Sequence, residues 1–219
     1  MEDERGLNQG PTALGVPLGE CRAAVVAIHG RGQTPAYLVE HLVQPLALEH
    51  VSFLLPAAPA GSWYPGRFDA PRGDNEPWIG QAIDQCESAL GLVEAAGVEP
   101  ARTVLVGFSQ GACLATAVLA RRPRPLGGVA ILTGALIGPP GDEAVVQCGL
   151  DGVPVVVTCS STDAWVPLER ARAAAEAFAA AGADVRFVPR DDPDHRISPG
   201  DVASVRELVR QATNGTIRP

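Results

Sequence analysis

Lysine is absent from this chain, in which all 17 basic residues are arginine. This absence excludes Schiff-base chemistry, pyridoxal attachment, a P-loop lysine and a serine–lysine dyad. Arginine keeps its proton in proteins and does not act as a base. If the chain uses a serine nucleophile, a histidine must therefore activate it.

Several other features are scarce. The net charge of −8 and the lack of a basic cluster argue against a nucleic-acid partner. No run reaches the ~18 apolar residues that predict a transmembrane segment. The five cysteines form no C-x-x-C pair and the four histidines show no zinc-type spacing, so we expect no metal and no cofactor. The acidic start of the sequence has no apolar segment, which predicts a cytoplasmic protein rather than a secreted one.

The order of apolar patterns predicts an α/β fold. Short apolar runs alternate with segments of helical periodicity, which is typical of a parallel sheet with helices on both faces. We expect residues 1–22 to form an N-terminal arm or edge segment, 23–212 a single domain and 213–219 a C-terminal tail. The same patterns place the first helix at 35–49 and the last helix at 200–211.

A strand–turn–helix segment carries the most specific motif. Residues 103–108 are apolar and β-branched, residues 110 onward have helical periodicity, and Gly-Phe-Ser-Gln-Gly spans the junction. In this context G-x-S-x-G indicates a nucleophile elbow, because small neighbours allow the strained turn that exposes a serine hydroxyl. Ser109 is therefore the candidate nucleophile.

A base and an acid must follow the serine in the chain order of such hydrolases. His195 is the only histidine after Ser109, and it lies in a polar loop beyond the last predicted strand. Asp163 directly follows the predicted strand 153–161, at the carboxyl edge of the sheet where catalytic groups collect. We expect these three side chains to form a catalytic triad.

Simpler interpretations stay open for both partners. His195 is alternatively a solvated loop residue, and Asp163 is alternatively the cap of the helix that follows it. Three further carboxylates compete with Asp163 because they lie close to His195 in the chain: Asp191, Asp192 and Asp194.

Acyl transfer also needs donors for the oxyanion that develops on the carbonyl. One is the backbone N–H of Gln110, which follows the nucleophile. The other is expected from the glycine-rich loop 29–32 after the first buried strand. We interpret His29 in this loop as a structural residue rather than a catalyst.

Four motifs together resemble the phospholipase/carboxylesterase family, small α/β-hydrolases that include acyl-protein thioesterases. They are G-F-S-Q-G-A at 107–112, H-G-x-G at 29–32, D-x-x-V-P at 163–167 and a late histidine followed by Ile-Ser. The resemblance implies an α/β-hydrolase fold with a mostly parallel central sheet and no large lid domain. It implies the same triad, with the backbone N–H groups of Arg31 and Gln110 as the oxyanion hole, and it suggests a homodimer.

Aromatic residues cluster in the irregular stretch 56–75 and near the candidate acid. In the family this stretch borders the acyl pocket, so these aromatics either line the pocket or anchor a long loop on the core. The candidate pocket residues are Trp63, Tyr64, Phe68 and Trp165.

The sequence thus predicts a serine hydrolase that cleaves carboxylic esters or thioesters through an acyl-enzyme, with a small-molecule substrate. Two alternatives remain. One is a hydrolase of lactones or amides that uses the same site. The other is a ligand-binding protein that keeps the hydrolase fold without turnover.

Overall fold

The computed structural model describes residues 10–143 and 148–214. Its centre is one seven-stranded sheet. The strands are β1 (Thr12–Gly15), β2 (Ala23–Ile28), β3 (Val51–Leu55), β4 (Thr103–Phe108), β5 (Gly128–Leu132), β6 (Pro154–Ser160) and β7 (Asp184–Arg190). Their spatial order is β1-β3-β2-β4-β5-β6-β7, with β1 antiparallel to β3 and the other pairs parallel. The predicted mostly parallel sheet is confirmed.

Helices cover both faces of this sheet, as predicted. They are α1 (Pro35–Leu38), α2 (Gln44–Leu46), α3 (Arg72–Asn75), α4 (Trp78–Ala95), α5 (Gln110–Arg121), α6 (Leu168–Ala180) and α7 (Pro199–Asn214). A π-helical segment, Val39–Val43, joins α1 to α2. Their apolar sides therefore leave little of the central strands in contact with water.

Each face of the sheet has its own apolar cluster. Ala24 and Val26 of β2 pack in the cluster that contains α4, α5 and α6. Ala23 and Val25 point the other way, into the cluster that contains α1, α2 and α7. Because both faces are covered, the central strands are continuous apolar runs without polar alternation.

Two helix ends differ from the boundaries that the sequence patterns gave. The first helical segment stops at Leu46 rather than at residue 49, because Ala47 adopts a left-handed conformation with φ of 48°. The last helix continues to Asn214 instead of ending at 211.

The stretch 56–75 is less irregular than expected, since it contains a 3-10 turn at Pro59–Gly61 as well as α3.

The division into arm, domain and tail stays a prediction. Within the expected arm, the described residues contain β1, which forms the edge strand of the sheet. Thr213 and Asn214 of the expected tail belong to α7. Residues 1–9 and 215–219 lie outside the described part of the chain.

The carboxyl edge of the parallel strands carries the loops that matter below. They follow β2, β4, β6 and β7. The strand order places these loops side by side, so residues far apart in the chain meet at this edge. Within the described ranges, no inserted domain covers the edge, in line with the expected absence of a large lid.

Candidate active site

Ser109 lies in a sharp turn between β4 and α5. Its backbone has φ of 54° and ψ of −121°, a strained conformation for a residue with a side chain. A Cβ on Gly107 would lie 2.4 Å from the Gly111 carbonyl oxygen, and one on Gly111 would lie 2.3 Å from the Ile28 carbonyl oxygen. The Ser109 N–H donates to the Leu132 carbonyl at 3.0 Å. Close backbone packing therefore fixes the position of the serine.

His195 reaches Ser109 from the loop after β7. Its Nε2 lies 2.7 Å from the serine Oγ, the distance of a hydrogen bond. The imidazole lies 5.4 Å from the Phe108 ring and 6.5 Å from the Trp165 ring, measured between centroids. This geometry suits proton transfer from the hydroxyl to the imidazole.

Asp163, in the loop after β6, binds the other nitrogen of His195. Its Oδ2 lies 2.7 Å from Nδ1, and its Oδ1 accepts the N–H groups of Trp165 and Val166 at 2.9 and 2.8 Å. Burial raises the pKa of this carboxyl, but these hydrogen bonds outweigh burial and hold the pKa below its ordinary value. A carboxylate only accepts hydrogen bonds, so Nδ1 carries the proton and Nε2 accepts from Ser109.

The competing carboxylates near His195 have other partners. Asp192 and Asp194 each accept from an arginine two residues away, at 3.1 and 2.8 Å. Asp191 lies 3.5 Å from a serine hydroxyl. Asp163 is therefore the carboxylate that the structure brings to the imidazole.

The loop that carries His195 is held by a buried ionic group that the sequence did not reveal. Arg190, with 9% of its side chain exposed, lies 3.1 Å from Asp192 and 3.8 Å from Asp201. The Ser160 hydroxyl donates to the backbone carbonyl of Asp192. These contacts join the His195 loop to β6, β7 and α7. No local pattern signals them, because the partners come from separate elements.

The two expected oxyanion donors lie beside the serine. Gln110 begins α5, whose N-terminal N–H groups carry partial positive charge. The loop after β2 lies close to Ser109, since a Cβ on Gly30 would lie 3.1 Å from the Ser109 Cβ. Within residues 10–143 and 148–214, neither the Arg31 N–H nor the Gln110 N–H donates to a protein acceptor. Both donors are thus available to a substrate.

The interpretation of His29 as structural agrees with its contacts. Its Nε2 accepts the Ala58 N–H at 3.0 Å, and its Nδ1 donates to the Gly30 carbonyl at 2.8 Å. Burial lowers its pKa more than the Gly30 hydrogen bond raises it, so the ring is neutral. Trp63, one of the candidate pocket residues, is not among the residues that line the cleft described below. Its buried indole N–H donates to the His29 carbonyl at 2.8 Å, which turns the ring into the core.

A cleft of about 590 Å³ opens beside Ser109 and His195. Tyr64, Phe68 and Trp165 line it, and their role in binding a substrate stays a prediction. The Gln110 side chain holds the loop that forms one wall, because it accepts the Trp63 N–H at 3.0 Å and donates to the Tyr64 carbonyl at 2.8 Å. A cleft with apolar walls beside Ser109 is suited to an acyl chain.

Arg31 has a second connection to this wall through its side chain. Nη1 donates to the Pro65 carbonyl at 2.7 Å, and Nη2 donates to the Gly66 carbonyl. The guanidinium carbon also lies 5.8 Å from the centre of the Tyr64 ring. The Arg31 side chain thus holds the backbone of Pro65 and Gly66, two residues that also line the cleft.

The described ranges show neither a metal site nor a membrane-spanning helix. No group of three or more histidine, cysteine, aspartate or glutamate residues there has an arrangement that would hold a metal ion. In the same residues, no helix has the length and apolar character needed to cross a bilayer.

Known proteins share this sequence pattern. The sequence model of the phospholipase/carboxylesterase family matches residues 16–213. Acyl-protein thioesterase 1 of Gibberella zeae is 28% identical over 212 residues, which cover 86% of this chain and 90% of that protein. Acyl-protein thioesterase 1 of Saccharomyces cerevisiae is 28% identical over 131 residues, which cover 52% of this chain and 58% of the yeast protein.

Solved structures share the fold. A phospholipase/carboxylesterase from Dyadobacter fermentans DSM 18053 superimposes with a TM-score of 0.84 at 29% identity, over 93% of this chain and 97% of that one. Esterase PE8 superimposes with a TM-score of 0.71 at 24% identity, over 93% and 98% of the two chains. The α/β-hydrolase fold is thereby confirmed.

Proposed function

The chain belongs to the phospholipase/carboxylesterase family, which makes it a carboxylic ester hydrolase, and on that premise we propose that it cleaves esters or thioesters through a Ser109–His195–Asp163 triad. The observation that carries this proposal is the position of His195. Its two ring nitrogens lie 2.7 Å from the Ser109 hydroxyl and 2.7 Å from the Asp163 carboxylate. These two contacts are sufficient to make the Ser109 hydroxyl nucleophilic.

In the first half of the reaction, the Ser109 Oγ attacks the substrate carbonyl while His195 Nε2 takes the hydroxyl proton. The Asp163 carboxylate stabilises the imidazolium that forms. The backbone N–H groups of Arg31 and Gln110 donate to the oxyanion of the tetrahedral intermediate. The intermediate then expels the alcohol or thiol, which receives the proton from His195, and an acyl-serine remains.

In the second half, water attacks the acyl-serine carbonyl and gives its proton to His195. The second tetrahedral intermediate releases the carboxylic acid, and the imidazolium returns its proton to the Ser109 oxygen. One water is consumed for each ester or thioester cleaved, and the triad regains its starting protonation.

The acyl group of the substrate occupies the cleft beside Ser109. Its aromatic walls favour an apolar chain, and each buried methylene is worth about 0.8 kcal/mol, or roughly fourfold in kcat/KM. Thioesters are included because two relatives described above are named acyl-protein thioesterases.

A cytoplasmic location and a homodimer complete the proposal. In the described residues all five cysteines are free thiols, and four of them are buried, which suits a reducing compartment. The homodimer is suggested by the family resemblance. Light scattering after size-exclusion chromatography measures it directly: a mass near 22.7 kDa would contradict it.

The test is turnover of p-nitrophenyl esters of increasing chain length and of a matched thioester. We expect Ser109→Ala to lower kcat/KM by at least about 10⁴-fold, because the nucleophile is removed. Ser88→Ala removes an exposed hydroxyl from α4 and serves as the control with unchanged kinetics. Retention of most of the activity in Ser109→Ala, with the folded state intact, would overturn the proposed mechanism.

A further inference from the structure

The charge of the cleft is opposite to the charge of the chain. The protein has a net charge of −8, yet Arg31 and Arg67 both line the cleft. Among the described residues, no aspartate or glutamate lines it, since Asp163 is buried behind His195. The site that receives the substrate is therefore locally cationic within an acidic protein.

The two arginines differ in how their charges are balanced. Arg67 forms a two-pronged ion pair with Asp69, at 2.9 and 3.1 Å. Arg31 donates to the carbonyl oxygens of Pro65 and Gly66, which carry no net charge. Within the described part of the chain, no carboxylate lies within 4 Å of the Arg31 guanidinium. Of the two cleft arginines, Arg31 is thus the one whose charge is not neutralised by a carboxylate in the described part of the chain.

The Arg31 side chain is also held in place before any ligand arrives. Two backbone carbonyls and the face of Tyr64 fix its guanidinium against the cleft wall. A fixed side chain loses little conformational freedom on binding, so more of the interaction energy appears as affinity. The guanidinium has five N–H donors, and the two carbonyls leave up to three of them for a ligand.

We propose that this enzyme acts on esters or thioesters that carry an anionic group, a carboxylate or a phosphate, which binds the Arg31 guanidinium while the scissile carbonyl meets Ser109. The inference rests on the proposed function, because it assigns a substrate class to the same site. The charged group adds specificity that the apolar walls do not provide, since charge-assisted hydrogen bonds are about twice as strong as neutral ones.

The experiment compares matched anionic and neutral substrates. In the acyl arm, the p-nitrophenyl half-ester of glutaric acid is compared with its methyl diester. In the alcohol arm, the butyryl ester of 3-hydroxypropyl phosphate is compared with the butyryl monoester of 1,3-propanediol. We expect the anionic member of at least one pair to have about tenfold or higher kcat/KM, and the arm that shows the preference identifies which part of the substrate carries the charge.

Three variants separate charge recognition from loop anchoring. Arg31→Gln removes the charge and should abolish the preference for the anionic member, whereas Arg31→Lys keeps the charge and should retain a preference. Arg186→Gln makes the same change in net charge at an exposed position on β7, outside the cleft, and should leave the preference unchanged. The wild-type preference should also fall as ionic strength rises.

The outcomes are distinguishable. Equal kcat/KM within both pairs in the wild type, or a preference that persists in Arg31→Gln, would overturn the anion site. An equal loss for both members in Arg31→Gln would also overturn it, because Arg31 would then act only as an anchor for the Pro65–Gly66 backbone. If any of these results is obtained while turnover still depends on Ser109, the anion site is overturned but the proposed function stands. Turnover that survives in Ser109→Ala, or none in the wild type, would overturn both.

Discussion

Ser109 and its two proposed partners are held by different kinds of interaction. Ser109 lies in a turn packed between strands and helix, where missing Cβ atoms let backbone segments approach within contact distance. His195 and Asp163 lie in loops, and hydrogen bonds and ion pairs position their side chains. The serine is therefore fixed by steric exclusion, whereas the proposed base His195 and the proposed acid Asp163 are fixed by polar contacts.

This difference separates stability from activity. A change in the serine turn forces backbone atoms apart, so it affects folding before it affects chemistry. A change in the polar loops leaves the hydrophobic core intact and alters only the tautomer or the position of the imidazole. Variants of the serine turn should therefore lose stability, whereas variants of the polar loops should lose activity while the protein stays folded.

The largest effect is expected for Asp163→Asn. The amide keeps its size and its acceptor for the backbone N–H groups of Trp165 and Val166, but it no longer favours a protonated Nδ1 on His195. We expect kcat to fall by about 10³- to 10⁴-fold while the protein stays folded. Steady-state kinetics measure kcat, and circular dichroism shows whether the protein is folded. If Asp163→Asn unfolds the protein instead of lowering kcat, Asp163 has a structural role as the cap of the helix that follows it.

The same carboxyl should make stability depend on pH. The pKa of Asp163 is lower in the folded protein than its ordinary value of 3.8, so its ionisation stabilises the fold above that value. This stabilisation is lost as pH falls through the folded-state pKa. Thermal unfolding of the wild type and of Asp163→Asn should therefore give Tm values whose difference narrows below about pH 4. A difference that stays constant from pH 7 to pH 3 would contradict the assignment.

In the serine turn, a smaller free-energy change is expected for Gly107→Ala. The new Cβ would lie 2.4 to 2.7 Å from backbone atoms of Gly111 and Ala112, so the backbone itself would have to shift. We expect at least about 3 kcal/mol of destabilisation. Gly91→Ala in α4 meets no atom within 4 Å and should be neutral or stabilising by up to about 1 kcal/mol. Urea unfolding measures both, and similar stability in the two variants would refute the steric account of the turn.

The smallest effect is expected for two aspartates of the His195 loop. Asp192→Asn weakens the contact with buried Arg190, whereas Asp194→Asn removes an exposed pair with Arg196. We expect Asp192→Asn to lower kcat by about three- to tenfold, since ion pairs with a buried partner contribute more than exposed ones. Asp194→Asn should stay within about twofold. Equal kcat values in the two variants would show that the ionic group does not position His195.

The sequence predicted the parts of this molecule that depend on local patterns. The strand, the two glycines and Ser109 are contiguous, and their spacing alone predicts the turn. His195 followed from chain order, because it is the only histidine after the serine. Asp163 followed from its position at the end of a buried run. The turn and Asp163 thus needed only one stretch of the chain each, whereas His195 needed the order of residues along it.

The remaining features depend on contacts between distant segments. The Arg190 group joins side chains from β7, its loop and α7, and no spacing rule connects them. Trp63 and Tyr64 are neighbours in an irregular segment, so no periodicity shows that Trp63 faces the core and Tyr64 the cleft. The contact of Arg31 with the Pro65 and Gly66 carbonyls spans more than thirty residues and was likewise not predictable.

The most direct measurement is covalent labelling of the folded protein with a fluorophosphonate, followed by intact mass and peptide mapping. The reagent reacts with a serine whose hydroxyl is activated by a neighbouring base. The account predicts one adduct per chain, on the peptide that contains Ser109, and none in Ser109→Ala or in His195→Ala. An unlabelled folded wild type, or an adduct that persists in Ser109→Ala, would contradict it.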